Sequence, residues 1–195
     1  MPAGGAEVDV AVLFADVRGS TSLGEGRSPA AFAELLNRFY AVATEVILRH
    51  DGLIDKLIGD EAMALFIRGV AGPEYRSRSL QAARELFAEL GYGAREGSWL
   101  PVGVGLNAGP AYVGNVGTQV VDFTALGDAV NVAARLQDVA QAGQLVVAAD
   151  LLGDLDERMP HAERRAIDVR GRESSVPALV ASFNGAHSRG SASAG

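Results

Sequence analysis

Apolar residues run almost unbroken through VDVAVLFA, residues 8–15, as in a strand covered on both faces. The run ends on Asp16 and turns through Arg-Gly-Ser-Thr. Ser28-Pro29 then reads as a helix cap with proline at the first helical position, after which Phe32, Leu35, Leu36, Phe39, Ala43, Val46 and Ile47 recur at helical spacing. That helix stops near His50-Asp51-Gly52. LIDKLI and AMALFI flank Gly59-Asp60 and predict a hairpin turning on those two residues. A second helix is expected over about residues 73–91, with Leu80, Ala83, Leu86, Phe87 and Leu90 on one face. PVGVGLNAG and AYVGNVG read as two further strands, followed by a helix from Asp128 to about Gln141, closed by Gly143. QLVVAA, ERRAIDVRG and VPALVASF predict short closing strands around a small helical insert.

The order β-α-β-β-α-β with later additions is that of the ferredoxin-like split motif. The expected fold class is therefore α+β: a ferredoxin-like βαββαβ core with an antiparallel sheet, helices over one face, and C-terminal extra strands. Residues 1–6 and 185–195 are small, polar and glycine-rich, and are expected to be a flexible N-terminus and a disordered tail around one domain, residues 7–184.

Composition narrows the chemistry. At 48% hydrophobic over 195 residues, the chain is ordinary for one globular domain. No apolar run reaches membrane-spanning length, and MPAGGAEVD lacks the basic and apolar parts of a secretory signal, so a cytoplasmic protein with no membrane segment is expected. There is no cysteine, and His50, His161 and His187 are scattered, which leaves oxygen ligands for any metal. A net charge of −7 argues against nucleic acid as a partner. Lys56 is the only lysine among seventeen basic residues, which draws notice to its surroundings.

Asp16 at the end of a buried strand is costly unless paired, hydrogen-bonded or metal-bound. Asp60 lies in the following hairpin turn. If their strands are neighbours, the two carboxylates converge at one sheet edge and suit Mg²⁺ or Mn²⁺, which leave positions open for substrate phosphates. Each aspartate taken singly has a plainer role, Asp16 capping the turn and Asp60 supplying turn chemistry. Gly19, Ser20 and Thr21 follow where amides can form a concavity for phosphate oxygens. Asn131 and Arg135 are four apart and share a helix face, an amide and a permanent cation suited to an anionic substrate; a solvated polar face is the plainer alternative.

FADVRGST, KLIGDEAMALF, GLNAGPAYVGNVG and DFTALGDAVNVAARLQ, in this order and spacing, resemble the catalytic domain of class III nucleotidyl cyclases over roughly residues 8–183. The resemblance implies conversion of ATP to cyclic AMP and pyrophosphate by a head-to-tail homodimer whose shared active sites hold two Mg²⁺ or Mn²⁺ ions each. It matches Asp16 and Asp60 to the metal-binding aspartates, with the backbone of Val17 completing one coordination shell. Lys56 matches the lysine that reads adenine and Thr124 its partner, where many relatives carry aspartate and the class IIIb subgroup threonine. Asn131 matches the ribose-orienting asparagine and Arg135 the arginine that stabilises the transition state. Arg170 matches a triphosphate contact, with Arg172 as rival.

Many relatives place a basic residue where this chain has Gln119-Val120-Val121, which bears on triphosphate binding and leaves the reaction class intact. Two alternatives stand beside an adenylyl cyclase: a non-catalytic or guanylyl-specific cyclase-like nucleotide-binding module, and another two-metal nucleotidyl enzyme such as a diguanylate cyclase or polymerase palm. The sequence lacks a GGDEF-type turn, which speaks against a diguanylate cyclase.

Overall fold

The computed structural model describes residues 4–117, 122–169 and 174–184. The chain runs β1 (Gly5–Val17), α1 (Ser20–Glu25), α2 (Pro29–Arg49), β2 (Leu53–Ile58), β3 (Glu61–Ile67), α3 (Arg68–Ala71), α4 (Tyr75–Glu89), β4 (Val102–Val116), β5 (Asp122–Leu126), α5 (Asp128–Val139), β6 (Gln144–Ala148), α6 (Ala149–Leu152), a 3₁₀ turn over Gly153–Arg158, β7 (Glu163–Ile167) and β8 (Val176–Ser182). One sheet has the order β2-β3-β1-β4-β6-β8-β7, with β5 paired to β4. Its first four strands, joined through α2 and α4, follow the ferredoxin-like arrangement.

Local chemistry explains the boundaries. Ser28 caps α2 by accepting the Ala31 amide at 3.2 Å, and Pro29 opens the helix. Asp51 ends that connection in the left-handed region, φ 58°. The amide of Gly52 then donates to the Ile47 carbonyl at 2.9 Å.

β1 is central and pairs antiparallel with β3 and β4. Its apolar run is nearly continuous because both faces are covered. Ala11, Leu13, Ala15 and Val17 pack with Phe39, Ile47, Leu80, Leu86 and Phe87 beneath α2 and α4. Val10, Val12 and Phe14 point the other way, to Met63, Leu65, Ala111 and Ala133.

The structure corrects four expectations. Helices do not cover one face only: α5 lies on the face opposite α2 and α4, where Val132 and Leu136 pack on Val146, Ala148 and Ala178. The sheet is antiparallel except where β4 meets β6 in a parallel pair. The two strands expected around Pro110 are one strand of 15 residues. Partners on the side of β4 away from β1 stop at Leu106 and resume at Tyr112, a gap that tolerates a residue without an N–H. Finally, Gly5 and Ala6, expected to be loose, pair with Gly114 and Val113. The tail, residues 185–195, lies outside the described residues.

α5 can approach because the strand below it presents glycines. A Cβ at Gly103 would stand 2.8 Å from the Ala140 carbonyl oxygen, and one at Gly109 would stand 3.3 Å from the Ala129 Cβ. At Gly105 it would run into the Gln137 amide nitrogen and the Ala133 carbonyl oxygen. Helix backbone rests directly on strand backbone there. Gly105→Ala should therefore cost about 1–3 kcal/mol through overpacking and lower the melting temperature by at least about 3 °C. Gly69→Ala, where the added methyl meets nothing within 4 Å, should leave it unchanged; equal melting of the two variants would refute the seating of α5.

Candidate active site

Antiparallel pairing places Asp16 opposite Glu61 on β3 and opposite Gly103 on β4. The next backbone step joins the β2–β3 turn to the strand end, for the Val17 amide donates to the Asp60 carbonyl at 3.1 Å. Gly59 takes the left-handed conformation that this tight turn requires, φ 63°, and its carbonyl accepts a hydrogen bond from the Tyr40 hydroxyl on α2. Asp16 at the end of β1 and Asp60 in the β2–β3 turn are thus brought to the same end of the sheet.

The convergence is electrostatically uncomfortable. Burial, then the charge of Asp60, pushes the Asp16 carboxyl above its ordinary range, with Arg18 pulling it back. Glu61 is also raised, by burial first and then by Asp16, Asp138 and Asp60. Arg18 is the local counter-charge: its guanidinium lies 3.3 Å from Asp16 and donates to the Gln137 carbonyl of α5. Arg18 and Glu61 were given no role from the sequence, although both lie within the quoted motifs.

Gly19 turns the chain with φ 68° into the short α1. Ser20, Thr21 and Asp60 line one shallow depression with Gly24, Phe32, Leu36 and Gly59, so the expected phosphate loop and one of the acidic pair share a surface. A separate cavity between the end of α4 and β8, lined by Arg84, Met159, His161 and Phe183 among others, holds none of the candidate site residues.

Lys56 and Thr124 come together through a residue between them that the sequence reading passed over. The β2–β3 register shifts between Ile54 and Lys56, leaving Asp55 in a bulge, a feature that re-aims side chains. The Asp55 side chain is fully buried. Its Oδ2 accepts the Thr124 hydroxyl at 2.9 Å and stands 3.7 Å from the Lys56 Nζ, whereas Oδ1 has no hydrogen-bond partner among the described residues. Burial raises this carboxyl, and Thr124 and Lys56 draw it down. Lys56 also reaches Asp122 Oδ2 at 2.5 Å. In a flat sheet β2 and β5 would stand four strand spacings apart, roughly 19 Å. Their direct contact means that the β4–β5 ribbon folds back over the sheet, which is why Ala125 packs in one cluster with Met63 and Leu65.

Asn131 and Arg135 are both exposed on α5. Arg135 bonds Asp138 at 3.1 Å and the Asp168 carbonyl at 3.5 Å. Arg170 and its rival Arg172 lie outside the described residues, as does Gln119-Val120-Val121.

Against known proteins, the sequence pattern of the adenylate and guanylate cyclase catalytic domain matches residues 5–180, and the chain belongs to that family. It is 34% identical over 178 residues to the uncharacterised protein Rv1318c of Mycobacterium tuberculosis, covering 89% of this chain and 32% of that protein. The chain thus spans about a third of the length of this curated relative. Among solved structures, the guanylyl cyclase Cya2 superposes with a TM-score of 0.75 at 27% identity, covering 91% of this chain and 93% of that one. The adenylyl cyclase CyaB from P. aeruginosa gives 0.69 at 25%, covering 91% and 95%. By family and by fold the chain is a nucleotide cyclase catalytic domain.

Asp60 weakens the metal-free fold by repelling two half-buried carboxyls. A raised carboxyl adds stability below its unfolded pKa and loses it as pH rises through the folded value, so the penalty is complete at neutral pH. Asp60→Asn should raise the metal-free melting temperature at neutral pH by about 2–4 °C, with the gain fading on acidification. An equal or lower melting temperature would refute the repulsion.

Proposed function

We propose that the chain is an adenylyl cyclase, converting ATP to 3′,5′-cyclic AMP and pyrophosphate at sites shared between two copies. The observation that carries the adenine preference is the Lys56–Asp55–Thr124 cluster, which offers donors and an acceptor at one place. Lys56 can donate to a ring nitrogen, and Thr124 can accept from an exocyclic amine. Cyclases of both specificities are structural relatives, so the preference rests on these residues.

The donor set fits a divalent ion. The Asp16 and Asp60 carboxylates and the Val17 carbonyl are hard oxygens, and their number suits Mg²⁺ or Mn²⁺, which complete their shells with water and substrate phosphates. When bound, a pair of such ions supplies charge stabilisation at the attacking and leaving oxygens. The raised Asp16 carboxyl and its repulsion by Asp60 are the state that an added cation relieves.

The remaining roles fall to side chains that can bind anions or orient the sugar. The Gly19-Ser20-Thr21 segment holds phosphate oxygens beside Asp60. Asn131 orients the ribose, so that its 3′-hydroxyl is in line with the α-phosphate, and Arg135 stabilises charge developing on that phosphate. Arg170 is proposed as a further triphosphate contact. Within one chain the hydrogen bonds and ion pairs of Lys56, Thr124 and Arg135 go to Asp55, Asp122, Asp138 and Asp168. None of these bonds ends on Asp16 or Asp60, although the charge of Asp138, the ion-pair partner of Arg135, reaches the Asp16 carboxyl and raises it. Membership of the cyclase catalytic-domain family supports a complete site formed from the acidic pair of one copy and the base- and phosphate-binding residues of another.

Incubation with Mn²⁺ and ATP or GTP should yield cyclic AMP in preference to cyclic GMP; the reverse preference would refute the adenylyl assignment, and no cyclic product from either would refute catalysis. Arg135→Ala should lower turnover by about 10²–10³, and Lys56→Glu should cut ATP turnover and narrow discrimination against GTP. Mixing inactive Asp60→Ala with Arg135→Ala should restore activity through one intact shared site. Failure to complement, with mixed dimers formed, would refute the shared arrangement.

A further inference from the structure

Asp55 is a fully buried carboxylate with one oxygen unpartnered among the described residues, and the proposed reaction gives it no contact of its own with the nucleotide. An unpaired buried acceptor is expensive, yet the fold builds a bulge at this position. We propose that Asp55 is a positioning residue that fixes the direction of the Thr124 hydroxyl and thereby sets purine selectivity.

The argument is one of donors and acceptors. A threonine hydroxyl has one proton to give and two lone pairs. An ionised carboxylate only accepts, so the 2.9 Å contact from Thr124 Oγ1 to Asp55 Oδ2 commits that proton to the protein. Lys56 Nζ, 3.7 Å from the same oxygen, favours the ionised form. What remains of Thr124 for a ligand is acceptor character alone. A purine with an amino group at the edge facing it is matched, whereas one with a carbonyl there sets two acceptors against each other. Without Asp55 the hydroxyl is free to rotate and serve either. The bulge matters because a regular strand would alternate Asp55 and Lys56 onto opposite faces, while here both serve Thr124 and its surroundings.

This inference rests on the adenylyl cyclase reading, and kcat/KM for ATP and for GTP separates the two. Effects common to both nucleotides, including metal and triphosphate binding, cancel in the ATP:GTP ratio, and a merely structural loss would not move it. Asp55→Asn is close to isosteric, and its amide can donate to or accept from Thr124. The ratio should fall about tenfold, the scale of one unmatched hydrogen-bonding group, with a similar fall in Thr124→Val and no further fall in the double variant. If Asp55→Asn loses its cooperative thermal transition, Asp55→Ser carries the same comparison. A wild-type preference for GTP overturns the adenylyl reading and this inference together. A wild-type preference for ATP that persists in the Asp55 variant, or effects of Asp55 and Thr124 that multiply, overturns the assignment of Asp55 alone.

Discussion

The 3.1 Å hydrogen bond from the Val17 amide to the Asp60 carbonyl continues the β1–β3 ladder past its last paired residues, and the acidic edge depends on it. Seven successive residue pairs from Val10↔Ile67 to Asp16↔Glu61 hold the strands in register, so the carboxylates cannot drift apart to relieve their repulsion. Large apolar burial under α2 and α4 stabilises an arrangement that its charges oppose. The usual reading of such a conflict between local electrostatics and global packing is function.

A second layer of organisation comes from the opposite face. α2 and α4 pack on the sheet through side chains, whereas α5, besides packing Val132 and Leu136 on the later strands, meets β4 where residues without side chains lie. That choice gives α5 a short standoff, lets Arg18, just past the end of β1, reach the Gln137 carbonyl, and leaves Asn131 and Arg135 on the exposed side. The β4–β5 ribbon then brings Thr124 across to β2. Residues far apart in sequence are gathered by two strands, β1 and β4, that pair along thirteen positions.

Much of this was legible beforehand. The β-α-β-β-α-β order, the Ser28 cap and the turn on Gly59-Asp60 follow from periodicity and turn chemistry, which are local properties. The ribbon was not legible, because the fold-back of β5 depends on tertiary contacts, and Pro110 gives a local signal of interruption that the unpaired flank of β4 makes harmless. The side of the sheet taken by α5 was equally hidden: Gly103, Gly105 and Gly109 were visible as residues, but nothing local says which backbone they admit. Asp55 was missed because an aspartate beside a lysine in a strand reads as surface alternation until the bulge at that position is seen.

The seat of α5 on Gly105 has a mechanical side. Where helices rest on side chains, rotamer adjustments absorb small displacements and damp them. At Gly105 peptide groups abut with no such cushion, so a tilt of the helix carrying Arg135 presses directly on the strand that bears the β5 ribbon.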